Sequence, residues 1–266
     1  MRKTKRKRMN LTVVIQNLFL ATVAAFVSIP LIFTIQKSLE VKGLENYAIV
    51  WQRNSMIRNF MNSAIVSVLT IIVVLTCVIL AAYTLSKLHF PFKNVIFLMF
   101  LSGLMIPGAS ILFPTFQIVK GMGLIDNYLG LVGPYAAVQI PFNLVIMKNY
   151  YDTIPNEILE SSHIDGCNSF STLLHIILPL SAPALSVIIL WTFLGVWNEF
   201  MYAFTFIEKS EMRTLTSLPS KFTGLHSSNY ELVFAALVII QLPIIFLYLV
   251  TQNKLQEGLV SGSLKG

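Results

Sequence analysis

Residues Glu157–Leu180 read EILESSHIDGCNSFSTLLHIILPL and form a polar island in an otherwise strongly hydrophobic chain. The island carries one glycine, Gly166, near its middle and one proline, Pro179, near its end. The chain on both sides of it is apolar enough to lie in lipid. Polar groups without partners are costly in hydrocarbon. The island therefore marks a place where the chain leaves the membrane and meets water or another protein.

The whole chain has the composition of a membrane protein. It has 266 residues, of which 55% are hydrophobic and only 12% are charged. Soluble domains carry about 25% charged residues, so this chain has too little polar surface to coat a soluble globule. Apolar runs of about twenty residues match the thickness of the hydrocarbon core. These features exclude a soluble enzyme and predict an all-α, polytopic protein of the cell membrane.

Six apolar runs are long enough to be transmembrane helices. They are Leu11–Ile35, Ser63–Leu88, Val95–Ile118, Leu129–Met147, Ala182–Ile207 and Leu232–Val250. An even number of spans places both termini on one side of the membrane. Prolines within the spans, as in MIPGASILFP (105–114) and YAAVQIPF (135–142), indicate either packing kinks or irregular helices around a moving pathway.

The orientation follows from the basic N-terminus. The first eight residues, MRKTKRKR, hold six of the 19 Lys and Arg residues. Such a tail could bind nucleic acid, but ahead of a long apolar segment it predicts a cytoplasmic anchor. No small-residue cleavage site follows the first span, so we expect that span to be retained. Elsewhere the inner segments hold five basic residues and the outer segments eight, so the orientation depends on the first span.

This topology divides the chain into four parts, with both termini cytoplasmic. Residues 1–10 form a basic cytoplasmic tail, and residues 11–57 form the first span and an external segment. Residues 58–252 form the transmembrane core, which includes a cytoplasmic loop at about 150–180. Residues 253–266 form a cytoplasmic C-terminal tail.

The island itself has the signals of two short helices joined by a corner. Pro155 suits the first turn of a helix, and the acids that follow it complement the helix dipole. The pair Asp165–Gly166 ends this helix, because glycine adopts the left-handed conformation without strain. A second helix can start at Asn168 or Ser169. Its apolar residues fall at helical spacing and predict one common face, formed by Phe170, Leu173, Leu174 and Ile177.

An alternative is an amphipathic helix that rests on the lipid headgroups. Such a helix prefers Lys and Arg on its polar face. Residues 150–180 contain neither, whereas four acidic residues lie there, namely Asp152, Glu157, Glu160 and Asp165. The anionic cytoplasmic leaflet would repel this surface. The sequence favours a rigid projection onto which a soluble partner docks.

The spacing of the island resembles the EAA loop of binding-protein-dependent ABC importers. That pattern is E-A-A, three residues, G, nine residues, I-x-L-P. It is met here by Glu160 with two following serines, by Gly166, and by the I-x-L-P of residues 176–179. Serine in place of both alanines keeps the side chains small, and Cys167 stands where a small residue such as alanine is usual. The resemblance extends from about Gly43 onward and includes AAYTLSKLHFPFK, WNEF and the terminal GLVSGSLKG.

These further segments resemble the sugar-uptake branch, and within it the shorter, second permease of the maltose-type pair. The resemblance implies a type I ABC importer transmembrane domain in a prokaryotic cell membrane. The implied partners are a second, homologous permease, a cytoplasmic ABC ATPase dimer that binds ATP and Mg, and an extracellular solute-binding protein that delivers the sugar substrate.

The resemblance also implies roles for residues at the matching positions, with Glu160 as the main docking residue and Gly166 as the corner. The residues expected to couple the chain to the ATPase are Glu160, Ser161, Ser162, Asp165, Gly166, Ile176, Leu178 and Pro179. A tail contact with the ATPase is expected from Ser263, Leu264, Lys265 and Gly266.

The chain itself has no sign of catalysis. It lacks the G-x-x-x-x-G-K-[ST] loop that holds nucleotide phosphates, and its four histidines are scattered rather than clustered as metal ligands. No catalytic residue, metal site or cofactor of its own is expected, and no nucleic acid. Energy must come from a partner.

Glu199 is the one acid deep within a predicted span, and such a group is a functional candidate. With Trp197 and Asn198 it could line a sugar path. Alternatively it could form a buried hydrogen bond between helices or lie near the outer interface. A proton site at Glu199 would instead make the chain an ion-coupled secondary carrier, and a membrane scaffold without transport is a third class.

Overall fold

The structure, a computed structural model, describes residues 11–53, 55–223 and 229–263, which form helices and the turns that join them. The helices are α1 (Leu11–Ser38), α2 (Glu45–Arg53), α3 (Met56–Lys87), α4 (Lys93–Met105), α5 (Gly108–Gly121), α6 (Leu129–Asp152), α7 (Asn156–Ile164), α8 (Ser169–Leu180), α9 (Ala182–Trp197), α10 (Met201–Phe206) and α11 (Tyr230–Ser263). A 3-10 helix, Leu215–Phe222, precedes α11. The all-α prediction is confirmed.

Four of these helices are long and apolar enough to cross a membrane, judged over the described residues. They are Thr12–Ser38, Met56–Lys87, Leu129–Asp152 and Tyr230–Gln252. Two further pairs meet the same test only as bent spans, α4 with α5 and α8 with α9. The total is six when each bent pair counts as one span, which agrees with the predicted number.

The third predicted span, Val95–Ile118, is not one continuous helix. It is divided into α4 and α5, whose axes differ by 91°. Ile106, the residue before Pro107, is extended at φ −95° and ψ 113°, because proline excludes the helical conformation from its predecessor. MIPGASILFP is therefore a break in the span, which agrees with the irregular helix that the sequence offered as the alternative to a packing kink.

The fifth predicted span, Ala182–Ile207, is also interrupted. α9 ends at Trp197, and the chain resumes as the short α10 at Met201. At its other end α9 meets α8 at an angle of 79°, with Ser181 at the bend. Polar residues lie at both interruptions, with Ser181 at the one before α9 and Asn198 and Glu199 at the one after it.

The chain divides into two compact units, of which the first contains residues 11–53 and the described part of 219–239. Its α1 is exposed along nearly its whole length, as expected of a helix that faces lipid or another subunit. The turn from α1 to α2 is fixed by a buried side chain, because Asn46 Nδ2 donates to the carbonyl oxygens of Ser38 at 2.9 Å and Glu40 at 2.7 Å.

The second unit contains residues 55–218 and 240–263, and the long helix α3 is at its centre. α3 packs against both α6 and α9, and α6 packs against α9. The core at one end of α3 includes Val74, Val78, Leu144, Met147, Tyr151, Ile177 and Ile188. The core at its other end includes Val66, Leu131, Tyr135, Ala203 and Phe206. Because lipid is as apolar as leucine, these contacts stabilise the bundle through close packing.

Replacing Leu144 with Ala tests this core. Leu144 is fully buried, and its loss should leave a cavity that costs about 2–5 kcal/mol. The midpoint of thermal unfolding of the detergent-solubilised protein should therefore fall. Leu129→Ala is the matched control, because Leu129 lies in the same helix but is 58% exposed. Equal shifts for the two variants would contradict this assignment of the core.

Candidate coupling loop and central cavity

The polar island folds as a helix, a glycine corner and a second helix, as its sequence predicts. α7 ends at Ile164, and Gly166 follows in the left-handed region at φ +84°. Asn168 then caps α8, because its Oδ1 accepts a hydrogen bond from Ser171 N at 2.8 Å. The segment is therefore a defined corner, which we call the coupling loop, residues 156–180.

A buried hydroxyl pair holds the two helices of the coupling loop together. Ser162 is 2% exposed, and its Oγ lies 2.9 Å from Thr172 Oγ1 in α8. The backbone of Ser162 also takes part in the corner, because its carbonyl oxygen accepts a hydrogen bond from Cys167 N at 3.0 Å. Ser161, its neighbour, is exposed. The small residue at position 162 thus allows the close approach of α7 and α8.

Two of the four residues of the predicted apolar face of α8 lie in the core. Leu173 and Ile177 are buried, whereas Phe170 is 60% exposed and Leu174 is 40% exposed. The segment Leu173–Ile177 forms a π-helical turn rather than a regular α-helical one. With Ile164, which is 87% exposed, Phe170 and Leu174 give the coupling loop exposed apolar side chains beside its acids.

The acids at the tip of the coupling loop have no partner within the part of the chain that the structure describes. The carboxylates of Glu160 and Asp165 are exposed, with no hydrogen bond or ion pair to a described residue. Further along α8, Ile176 and Leu178 are half-buried and Pro179 is exposed. A partner could contact these residues without displacing an internal bond.

Polar bonds at the base of the coupling loop tie it to the long helices. Asp152, the last residue of α6, accepts from Ser86 Oγ of α3 at 2.6 Å and from Lys148 Nζ at 2.7 Å. Beside it, Lys87 Nζ donates to Ile154 O at 2.6 Å. Lys87 Nζ also donates to Asn156 Oδ1, at the first residue of the coupling loop, at 3.1 Å. The start of the coupling loop is therefore joined to the end of α3, beside the bond that holds α3 to α6.

The C-terminal end of the coupling loop is joined to α6. The Tyr150 hydroxyl, near the end of α6, donates to Leu180 O at the end of α8, over 2.8 Å. The two ends of the segment are thus held side by side. A force applied to the coupling loop would therefore reach α6 at both ends of the loop.

The predicted tail contact lies mostly beyond what the structure describes. Ser263 is the last residue of α11. Leu264, Lys265 and Gly266 lie outside the described residues.

A cavity of about 200 Å³ lies within the second unit, where the two interruptions of its helices meet. Gly108 and Ala109 follow the break between α4 and α5, and Glu199 lies in the break between α9 and α10. Its lining residues are Gly108, Ala109, Tyr135, Val138, Gln139, Gly195, Val196, Glu199, Met201 and Tyr202. Irregular backbone at membrane depth is tolerated where it lines such a cavity.

The Glu199 carboxylate receives four hydrogen bonds from the protein. Tyr135 Oη donates to Oε2 at 2.6 Å, and Ala203 N donates to the same oxygen at 3.2 Å. Tyr202 N lies 3.0 Å from Oε1 and 3.1 Å from Oε2. Glu199 therefore accepts hydrogen bonds from the first turn of α10 and joins α10 to α6 through a half-buried bond. Its side chain forms part of the cavity wall.

The other two residues of the expected sugar path lie away from the cavity lining. Trp197 is 3% exposed, stacks on Phe193 and donates from Nε1 to Ile240 O at 3.2 Å. Asn198 is exposed, and its Nδ2 donates to Leu194 O at 2.9 Å. Of the three residues, the structure brings only Glu199 to the cavity.

Residues 78–259 match the family described as the binding-protein-dependent transport system inner membrane component. The chain belongs to this family. The matched segment includes the whole coupling loop and every residue that lines the cavity. The chain is a multi-pass membrane permease, and an ion-coupled carrier that uses Glu199 has no support.

Similar proteins agree with this assignment. The Probable ABC transporter permease protein YurM of Bacillus subtilis is 35% identical over 84% of this chain and 74% of its own. The Trehalose/maltose transport system permease protein MalG of Thermococcus litoralis is 34% identical over 77% of this chain and 74% of its own. The Melibiose/raffinose/stachyose import permease protein MelC of Bacillus subtilis is 26% identical over the full length of both chains.

A solved structure supports the fold of this permease. A crystal structure of a bacterial ABC transporter involved in import of the acidic polysaccharide alginate contains a chain that is 21% identical. It covers 94% of this permease and 99% of that chain, with a TM-score of 0.78. At this level of identity the likeness concerns the fold.

Sequence reasoning missed several residues of the cavity. Tyr135 and Gln139 are spaced i, i+4 on α6, which places them on one face, and both lie in YAAVQIPF. Two polar side chains on one face of a membrane helix are a signal that could have found them. Gly195 and Tyr202 carry no such signal, because their roles depend on contacts with distant segments.

The corner can be tested with Gly166→Val. Among the described residues no atom lies within 4 Å of a Cβ added to Gly166, so the strain comes from the backbone conformation at φ +84°. That conformation costs about 1–2 kcal/mol for an L-residue and more for a β-branched one. We expect normal membrane insertion but a loss of solute uptake of about tenfold or more, measured in whole cells that carry the intact transport system.

Gly121→Val is the matched control, because Gly121 also has free space around it and lies in α5, outside the coupling loop. Uptake at the wild-type rate by Gly166→Val, or an equal loss in Gly121→Val, would refute the role of the corner.

Proposed function

We propose that this permease is one transmembrane subunit of an ATP-driven ABC importer that carries a sugar or oligosaccharide into the cell. The relatives support this class of substrate, since their names include trehalose and maltose, melibiose, raffinose and stachyose, and diacetylchitobiose. The coupling loop would transmit the energy of ATP hydrolysis from a separate ATPase. The chain would itself bind neither ATP nor Mg, which belong to the partner.

The observation that carries this proposal is the construction of the coupling loop. Its corner is fixed by Gly166 and by the Ser162–Thr172 hydroxyl pair. Its exposed surface combines the free carboxylate of Glu160 with the apolar side chain of Phe170. A rigid, acid-tipped projection of this kind suits a groove with basic and apolar groups on a soluble protein.

The base of the coupling loop supplies the second half of the mechanism. Lys87 of α3 donates to Asn156 Oδ1 at the start of the loop, and Tyr150 of α6 donates to Leu180 O at its end. When the ATPase dimer closes, it would move the coupling loop as one body. The bonds at the base would turn that movement into a tilt of α3 and α6, and because α6 lines the cavity, the tilt would change access to it.

The proposed assembly has four kinds of component beside this chain and its lipids. A second, homologous permease would complete the pathway, and an ATPase dimer would bind on the cytoplasmic side. A solute-binding protein would deliver the sugar from outside, and the sugar is the fourth. In this proposed assembly both termini and the coupling loop would lie in the cytoplasm, and residues 263–266 would contact the ATPase there.

The direct test is uptake into proteoliposomes that contain the complete transporter. The binding protein and a radiolabelled sugar are supplied outside, and ATP is enclosed. We expect accumulation of the sugar only when both ATP and the binding protein are present. Accumulation driven by a proton gradient without ATP would refute the proposal, and so would the absence of uptake with every sugar named for the relatives.

A second test concerns docking. Glu160→Ala removes the free carboxylate at the tip, and a bond to a charged group contributes about 1.5–3 kcal/mol. We expect recovery of the ATPase with the tagged permease to fall about tenfold or more in co-purification. Glu157→Ala is the control, since Glu157 is an exposed acid one turn earlier in α7. Undiminished recovery with Glu160→Ala would contradict the docking role.

A further inference from the structure

We propose that Gln139, positioned by the bare Cα of Gly195, forms a subsite for one unit of a neutral saccharide in the wall of the cavity. This inference rests on the proposed function of sugar import and names a contact on this subunit for the passing substrate.

The first observation is the close contact between the two residues. A Cβ added to Gly195 would lie 1.9 Å from Gln139 Nε2 and 2.9 Å from its Cδ. The amide of Gln139 in α6 therefore lies directly on the backbone of α9. Any side chain at position 195 would push the amide aside, and it can move because it is the end of a flexible side chain. Glycine at this position leaves the space in which the amide lies.

The second observation is that this amide is free to bind a ligand. In residues 11–53, 55–223 and 229–263, the Gln139 side chain forms no hydrogen bond, although its backbone carbonyl accepts from Asn143. A side-chain amide offers two N–H donors and one carbonyl acceptor. The hydroxyls of Tyr135 and Tyr202 already donate, to Glu199 Oε2 and to Gly108 O. Gln139 thus contributes to the lining a side-chain amide whose donors and acceptor have no partner among the described residues.

The third observation concerns charge. The four contacts to the Glu199 oxygens come from three donors, namely the hydroxyl of Tyr135 and the backbone N–H groups of Tyr202 and Ala203. Within the described part of the chain, no basic side chain forms an ion pair with Glu199. The lining residues include this acid and no Lys or Arg, so they offer no opposite charge to an anionic ligand. The cavity therefore disfavours an anionic ligand.

The shape and position of the cavity narrow the ligand further. Ligand sites typically have volumes of about 300–1,000 Å³ and mostly apolar walls with a few polar groups. This cavity, at about 200 Å³, suits one unit of a longer molecule, and Val138 and Val196 supply apolar walls. Gln139 lies near the middle of α6, beside two interrupted helices. Secondary transporters place substrate sites at such interruptions near the membrane midplane, where broken helices leave backbone groups for a ligand, and the same physical argument applies to a broken helix in this permease. A hydroxyl-rich, uncharged sugar unit meets all of these conditions.

The test compares two variants that remove the contact in different ways. Gln139→Leu replaces the amide with an apolar group of similar size, and Gly195→Ala displaces the amide without altering it. Their controls are Gln117→Leu, which removes an exposed amide from α5, and Gly133→Ala, which adds a methyl group where no atom lies within 4 Å. Each variant is reconstituted with the wild-type partners in proteoliposomes that contain ATP.

The probes are radiolabelled maltose, melibiose, raffinose and diacetylchitobiose, and the probe used is one that the wild-type transporter accumulates. Two rates are measured in the same vesicles, namely sugar uptake and the ATP hydrolysis that the loaded binding protein stimulates. Loss of one neutral hydrogen bond should lower uptake by about 3- to 10-fold in both variants. Stimulated ATP hydrolysis should stay within about twofold of wild type, and the controls should behave as wild type.

Wild-type uptake in both Gln139→Leu and Gly195→Ala would overturn the subsite and leave the proposed function standing. A parallel loss of uptake and of ATP hydrolysis in these variants would also overturn it, because it would show a structural role. Failure of the wild-type transporter to accumulate any neutral sugar with ATP would instead overturn the proposed function, and the subsite with it.

Discussion

A helix that breaks inside a membrane must satisfy its freed backbone groups with other parts of the protein, because hydrocarbon supplies no water to do so. This constraint governs the second unit of the permease. The N-terminus of α10 is satisfied by the Glu199 carboxylate, and the break after α4 is satisfied in part by Tyr202 Oη, which donates to Gly108 O at 3.1 Å. The two breaks thus stabilise each other across the cavity. The acid that suggested a proton site has a structural reason to be there.

The same helix connects this cavity to the coupling loop. α6 carries Gln139 in the cavity wall and Tyr150 at the base of the coupling loop, eleven residues apart, or about 16 Å along a helix. α3 runs beside it and contributes Ser86 to the same base. The core between α3, α6 and α9 is close-packed, so movement at one end is carried to the other rather than absorbed. The proposed mechanism needs only this rigidity and a hinge at each helix break.

The sequence predicted the parts of this structure that depend on local signals. The acids and Gly166 mark the corner because capping and left-handed turns are properties of neighbouring residues. The π turn was not predictable from spacing, since apolar residues at i, i+3, i+4 and i+7 suit a regular helix equally well. Trp197 and Glu199 are two positions apart in sequence, yet one is in the core and the other in the cavity wall. The pairing of Gln139 with Gly195, 56 positions apart, requires the fold.

The buried hydroxyl pair of the coupling loop has a consequence for exchange between importers. Where the EAA pattern has alanine, this chain has Ser162, whose hydroxyl faces that of Thr172 inside the corner. Ser162 Oγ also donates to Leu159 O at 2.7 Å, so replacing Ser162 alone strands the Thr172 hydroxyl away from water, whereas changing both residues to apolar groups of similar shape costs little. Positions 162 and 172 should therefore vary together among relatives. A chimera can take the first helix of this loop from one importer and the second helix from another. Such a chimera should pack correctly only when the residues at positions 162 and 172 are both polar or both apolar.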